Sequence, residues 1–343
     1  MHRPELISRR TLGLTSLGAA AVFLAGCSDD EANPAPSGAS ANDPSASTSA
    51  SATPSASASS SVTPKVLTTL DEITVNGAVG KKPVVTGPWP LSTAETQSKV
   101  LVAGKGETVA KGGLVEVHYI GINGRTGASF DESFSTGTPA AFSLGEVVAG
   151  FQKGLEGKKV GDRVLILMPS KDGYADGNPD AGIEKGDALV FVVDIQGTSL
   201  SKVTGTMTQA AGLPTVTENG DKAPTVAVGS ASKPAKTTGA VLVKGTGRAV
   251  TKTDAVQVKY TCVNWDTGKV LAENWTTGAE SGALSSLIPA WQSQLVGKTV
   301  GSRVLVVAAP ADAYPKGNET PAIPAGATLV YVIDLLFASA TAQ

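Results

Sequence analysis

Apolar and polar positions alternate along Leu114-Val115-Glu116-Val117-His118-Tyr119, with Val115, Val117 and Tyr119 on one face and Glu116 and His118 on the other. A period of two predicts a half-buried strand. Ala255-Val256-Gln257-Val258-Lys259-Tyr260 repeats the pattern. Turn chemistry follows each run, as Asn123-Gly124-Arg125-Thr126-Gly127 and as Asp266-Thr267-Gly268. Further strands are expected over Val160–Met168 and Leu189–Ile195, with counterparts over Val300–Ala308 and Leu329–Leu335. The period changes at Val148, Phe151 and Leu155, whose i, i+3, i+7 spacing predicts one short helix. Ile288, Trp291 and Leu295 repeat it, with Pro289 tolerated in the first turn. The expected class is α+β, each half an antiparallel sheet of about five strands wrapped on one short helix.

The pattern recurs because the chain repeats itself. Gly157-Lys158-Lys159-Val160-Gly161-Asp162-Arg163-Val164-Leu165 returns 140 positions later, 157 to 297, as Gly297-Lys298-Thr299-Val300-Gly301-Ser302-Arg303-Val304-Leu305. The same offset carries Tyr174 to Tyr314 and Asp194 to Asp334, and one residue more carries Tyr119 to Tyr260. So long a period means two similar domains, each able to bury its own core. The preceding segments correspond too: Leu70–Gly77 matches Leu213–Gly220, and Lys82–Val85 matches Ala223–Val226. The domains are therefore expected over 66–199 and 212–338, joined by a linker over 200–211 and followed by a tail over 339–343.

The first 65 residues have another character. Arg3, Arg9 and Arg10 precede an apolar stretch from Leu12 to Ala25, too short for a comfortable membrane span and shaped as a secretory signal over 1–26. Leu24-Ala25-Gly26-Cys27 resembles a bacterial lipobox, which makes Cys27 the expected lipidation site and the first mature residue. Ser8-Arg9-Arg10-Thr11-Leu12 resembles a twin-arginine export signal. Residues 27–65 are rich in Ser, Ala, Thr and Pro and carry almost no large apolar side chains, a composition that predicts a disordered tether. The expected location is extracytoplasmic, with a lipid on Cys27 holding the chain to the membrane.

Composition removes other readings. A formal net charge of −2 without a basic patch argues against nucleic-acid binding. Beyond Cys27 the only cysteine is Cys262, which shares the parity of Val256, Val258 and Tyr260 and is expected to point into a core. With His2 and His118 as the only histidines, no His/Cys cluster has metal-ligand spacing, and no phosphate-binding or dinucleotide fingerprint is present. No metal and no cofactor is expected.

Read in order, the first copy resembles an FKBP-type peptidyl-prolyl cis-trans isomerase domain. Val117-His118-Tyr119-Ile120-Gly121 resembles the family's V-H-Y-T-G strand, and Ser129-Phe130-Asp131-Glu132-Ser133 its F-D-S-S segment. Phe142-Ser143-Leu144-Gly145 followed by Val147-Val148-Ala149-Gly150-Phe151 resembles its F-x-L-G and V-I-x-G-W run. Gly173-Tyr174 resembles the loop tyrosine, and Ala188–Ile195 the closing strand. The resemblance implies rotation about Xaa-Pro bonds without nucleophile or cofactor. The implied pocket is Tyr119, Phe130, Asp131, Val147, Val148, Phe151 and Tyr174, with Phe142, Ile183 and Phe191 against the substrate. In it Phe151 would be the floor, and the Val148 N–H and Tyr174 hydroxyl would hold substrate carbonyls. Ordinary core packing is the competing reading for each aromatic. Ala140, where an aromatic wall is common, and Gly182, in place of an aliphatic residue, imply a more open pocket.

The second copy departs further. The Phe130-Asp131 pair becomes Leu271-Ala272, Gly150 becomes Ala290, and Pro315 follows Tyr314. Tyr260, Leu287, Ile288, Trp291, Tyr314, Ile323 and Tyr331 survive, which implies a weak isomerase or a proline-peptide binding module. The function implied for the whole chain is a monomeric prolyl isomerase acting on proline-containing exported polypeptides, mainly through its first domain. The alternative is a non-catalytic chaperone or scaffold that grips such segments.

Overall fold

The computed structural model describes residues 63–340. The signal segment, Cys27 and the tether up to residue 62 lie outside the described residues. Two six-stranded antiparallel sheets follow one another, each with one seven-residue helix. In the first, the order is Gln97–Val102, Arg163–Met168, Leu189–Thr198, Leu114–Asn123, Ser129–Glu132, with Ala140–Ser143 also paired to Leu114–Asn123. The second repeats this as Thr238–Val243, Arg303–Ala308, Leu329–Ala340, Asp254–Asn264, Val270–Glu273, with Glu280–Ala283 beside Asp254–Asn264. The expected α+β class holds. The count reaches six because two short strands share one edge position: Ala140–Ser143 covers the start of Leu114–Asn123, and Ser129–Glu132 its end. Between them a side chain continues the ladder. Tyr119 N–H donates to Ser133 Oγ at 3.0 Å, and in the second copy Tyr260 N–H donates to Asn274 Oδ1 at 2.7 Å.

The helices are α1, Ala149–Leu155, and α2, Pro289–Leu295, with Val148 and Ile288 as their N-caps. Phe151, Leu155, Trp291 and Leu295 face the sheets, as their spacing predicts. The strand Val164–Met168 is buried at every residue, as are Leu189–Ile195 and both counterparts. The uninterrupted apolar runs 164–168 and 189–193, with counterparts 304–308 and 329–333, mean that both sheet faces are covered. One face meets α1. The other meets the segment ahead of the sheet, where Leu67, Leu70, Ile73 and Leu91 pack on Ile120, Ile122, Leu165, Leu167, Val190 and Val192. The second copy does the same with Val216 and Val226 of the hairpin Thr215–Asn219/Lys222–Ala227.

A buried ion pair ties that segment down. Arg163 and Asp194 face each other across neighbouring strands, with Nε to Oδ1 at 2.6 Å and Nη2 to Oδ2 at 2.7 Å. The remaining guanidinium N–H groups donate to the carbonyls of Gly77, Ala78 and Lys81 at 2.7, 2.9 and 2.9 Å. Gly80 N–H closes the ring onto Asp194 at 2.7 Å. The repeat carries the pair to Arg303 and Asp334, at 2.6 and 2.8 Å, where Glu218 replaces the carbonyls as the third partner.

Two boundaries look different in three dimensions. Residues 200–211 lie against the second domain: Leu200 N–H donates to Leu336 O at 3.0 Å, Thr208 N–H to Leu242 O at 2.7 Å, and Val203 packs with Val243 and Leu336. The last strand runs on to Ala340, through Ser339 and past the 338 boundary, because it pairs with Asp254 and Ala255.

Candidate functional site

The candidate residues of the first copy come from the helix side of its sheet. Tyr119 projects from the long strand beside Phe191 of its neighbour, and α1 lays Phe151 beneath both. Ring centroids are 4.7 Å apart for Phe151 and Phe191, 6.5 Å for Tyr119 with each of them, and 5.7 Å for Phe142 with Phe151. Phe130 lies edge-on to Phe191 at 5.6 Å. Val147, Val148 and Ile183 belong to the same cluster, with Phe130 and Tyr174 packed at its partly exposed margin. All ten candidate side chains thus meet in one hydrophobic cluster and its rim.

The polar groups sit at that rim. Tyr119 Oη donates to Asp131 Oδ2 at 2.6 Å, which gives the carboxylate beside Phe130 the partner that partial burial demands. The Tyr174 hydroxyl is buried and has no partner among the described residues. Burial, and then the Asp131 charge, push its pKa up to about 12, so it remains an O–H donor throughout the neutral range. Val148 N–H, at the start of α1, makes no backbone hydrogen bond among the described residues. Among the described residues, neither the Tyr174 hydroxyl nor the Val148 N–H has an acceptor, and both lie at the aromatic cluster.

Phe151 is 0% exposed. Its ring is smaller than an indole and lies deeper, and Tyr119, Phe142 and Phe191 close over it.

In the second copy Trp291 takes the floor, between Tyr260 at 5.3 Å and Tyr331 at 5.4 Å. Leu287, Ile288 and Tyr314 pack partly exposed around it, and Ile323 is buried beside them. Trp291 is 7% exposed and its indole N–H has no partner among the described residues. Burial pushes the Tyr260 hydroxyl up to about 12, helped by nearby Glu280. Ala272 stands opposite Cys262 as Asp131 stands opposite Gly121. Cys262 is buried as its parity predicts, and burial pushes its thiol up to about 12.

Sequence reasoning missed a steric exchange here. A Cβ built on Gly121 would lie 2.6 Å from Phe130 Cζ and 2.7 Å from Phe191 Cε1. Phe130 therefore requires glycine at 121, whereas the smaller Leu271 leaves room for Cys262. Comparing the copies position by position would have exposed this exchange.

The family described as "FKBP-type peptidyl-prolyl cis-trans isomerase" matches residues 105–196 and again 246–336, together more than half of the chain. An FK506-binding protein of Streptomyces anulatus is 36% identical over 118 residues, covering 34% of this chain and 95% of that protein. A probable FK506-binding protein of Corynebacterium glutamicum is 33% identical over 118 residues, covering 34% of this chain and 97% of that protein. A solved structure of a peptidyl-prolyl cis-trans isomerase from Pseudomonas syringae pv. tomato is 29% identical, with a TM-score of 0.28, covering 31% of this chain and 76% of that one. Matched twice along its length, this chain belongs to the FKBP-type peptidyl-prolyl cis-trans isomerases and carries two domains of that family in tandem.

Proposed function

We propose that the first domain supplies most of the isomerase turnover, that the second is a weaker proline-peptide site, and that the substrates are exported polypeptides met outside a membrane to which Cys27 anchors the chain. The observation that carries the first part is the buried Tyr174 hydroxyl, without an acceptor among the described residues, at the margin of a cluster that also holds an intact Tyr119–Asp131 pair.

Rotation about an Xaa-Pro bond is opposed by about 18–20 kcal/mol of amide resonance. The twisted imide has less charge separation than the planar one, so apolar walls at Phe130, Val147 and Phe191 favour it over water. Donors fixed in advance hold the flanking carbonyls without reorganisation as the bond turns. Tyr174 Oη–H and Val148 N–H are those donors in this reading. Asp131 is already engaged by Tyr119; it fixes that ring and sets the negative edge of the hollow. The lipobox resemblance around Cys27 and the signal-like stretch before it support the extracytoplasmic assignment. Proline isomerisation takes tens of seconds uncatalysed, so exported chains folding there benefit from acceleration.

Tyr174→Phe is expected to lower kcat/KM on a short Xaa-Pro peptide about tenfold, the equivalent of one neutral hydrogen bond of about 1.4 kcal/mol. Tyr314→Phe should change the total rate less than twofold. An unchanged rate for Tyr174→Phe, together with undiminished aggregation suppression, would favour the non-catalytic chaperone. The pH profile gives an independent check. An ordinary tyrosine loses its proton near pH 10, whereas Tyr174 keeps it to about pH 12. Activity should therefore show no tyrosine-dependent fall as pH passes through 10. For the anchor, Cys27→Ala is expected to move the chain from the membrane fraction to the soluble fraction; retention in the membrane would refute lipidation.

A further inference from the structure

The mouth of the second hollow carries a carboxylate that neither the fold nor the first domain explains. Glu280 stands opposite Val258 in the ladder between Asp254–Asn264 and Glu280–Ala283. Residues directly opposite in an antiparallel pair project from the same face. Val258 is buried in the core facing α2, and Tyr260, two residues on, shares its side. Glu280 therefore projects toward the helix side, beside Tyr260. The matching position in the first domain is Ala140, opposite Val117 in the same register. On the neighbouring wall the exchange runs the other way, from Asp131 to Ala272. The second hollow has kept one acidic group and moved it from one wall to another.

The two carboxylates also differ in company. Asp131 accepts from the Tyr119 hydroxyl. Glu280 is half-buried, and among the described residues no hydrogen bond or ion pair reaches it. Lys259, next to Tyr260 in the chain, lies on the opposite face with its Nζ 5.4 Å from the Trp275 ring. Partial burial without a cation raises the Glu280 pKa. A second polar group is unpaired at the floor, the Trp291 indole N–H, buried to more than nine-tenths between Tyr260 and Tyr331. One aromatic cluster thus has an unpaired carboxylate beside its partly exposed margin and an unpaired indole N–H in its interior.

We propose that the second domain recognises proline flanked by lysine or arginine at the partly exposed margin of its aromatic cluster, Glu280 pairing with the cation. The inference rests on the reading of the second domain as a proline-peptide site and adds the class of peptide it takes. A charge-assisted contact in a half-buried setting is stronger and less screened than one in open water. The ligand cation supplies the partner that the chain withholds. The first domain, with Ala140 at this position, lacks the preference, so the two domains differ in the sequences they retain.

The test is a titration of the full chain, solubilised in detergent, with two peptides, Ala-Lys-Pro-Lys-Ala and Ala-Glu-Pro-Glu-Ala. The readout is the Trp291 indole N–H resonance, assigned by Trp291→Phe. The lysine peptide is expected to bind at least tenfold more tightly than the glutamate peptide, and the difference should shrink with added salt. Glu280→Gln should bring the two within about twofold of each other while an Ala-Ala-Pro-Ala-Ala peptide still shifts the resonance. Ala140→Glu should create the lysine preference in the first domain, read through the Tyr119 ring signals. Equal affinity of the native chain for both charged peptides, or a preference that survives Glu280→Gln, overturns the inference and leaves the second domain a proline-peptide site. If none of the three peptides moves the Trp291 resonance, the reading of the second domain as a peptide site falls, and this inference with it.

Discussion

Arg163→Met is expected to lower the unfolding midpoint of the first domain by roughly 10–15 °C, with little change in the second. The substitution keeps an unbranched side chain but leaves Asp194 buried and without its bidentate partner. Removing one member of such a pair costs about 3–5 kcal/mol, a large part of the 5–15 kcal/mol that typically holds a domain together. At roughly 3 °C per kcal/mol for a domain of this size, the shift follows. The loss has a second route. Arg163 also collects three carbonyls from the Gly77–Lys81 loop, so that loop and the strands Thr74–Asn76 and Val84–Thr86 lose their anchor. Trypsin should then cut after Lys81 well before the rest of the domain opens, since Pro83 protects the bond after Lys82. The double variant Arg163→Met/Asp194→Leu should be milder than the single one, because no unpaired charge remains. A single variant within about 3 °C of the native chain would show that apolar packing of Leu67, Leu70, Ile73 and Leu91 holds the segment unaided. Arg303→Met repeats the experiment in the second domain, where Asp334 and Glu218 both lose their cation.

The clamp marks the limit of what the sequence makes legible. Arg163 and Asp194 both recur at the 140-residue offset, which says that each copy needs them. It does not say that they need each other. Pairing is a matter of register between two strands 31 positions apart, and register is fixed only when the sheet forms. The helix and the central strands are legible because their periods are local: Val148, Phe151 and Leu155 lie on one helical stripe wherever the helix docks. The covered second face is written in the chain too, as the unbroken runs 164–168 and 189–193, where a sheet with one wet face would alternate. The side chains that continue the ladder, Ser133 and Asn274, carry no such signature, since a serine and an asparagine after a short strand look like ordinary turn residues. The hollow lies between these cases. Its members are visible as a family pattern, but the depth of Phe151 depends on how five rings settle against one another, and no spacing encodes that. The relocation of the acid from Asp131 to Glu280 becomes visible only when both positions are placed in the ladder.

Gly121→Cys, which gives the first copy the residue found at the matching position of the second, is expected to reduce kcat/KM by about 100-fold. The cause is geometric. The new Cβ falls 2.6 Å from Phe130 Cζ, 2.7 Å from Phe191 Cε1 and 2.9 Å from Phe130 Cε2, inside the contact distance of carbon atoms. Phe191 is buried against Phe151 and has no room to retreat, whereas Phe130 is at the margin and swings outward. The mouth loses its wall and Asp131, the next residue, shifts with it, and a displacement of about 1 Å in a reacting geometry is worth about 100-fold. Stability should fall by about 1–3 kcal/mol, the usual effect of overpacking a core. Adding Phe130→Leu separates the two losses. Leucine recreates the combination of Cys262 and Leu271 found in the second copy, so the double variant should recover most of the lost unfolding midpoint. Activity should stay low, since the aromatic wall is gone, and that dissociation of stability from rate is what a pocket wall, as opposed to a core residue, must show. If Gly121→Cys retains activity within about threefold, Phe130 moves freely at the mouth and plays no fixed part in turning the imide.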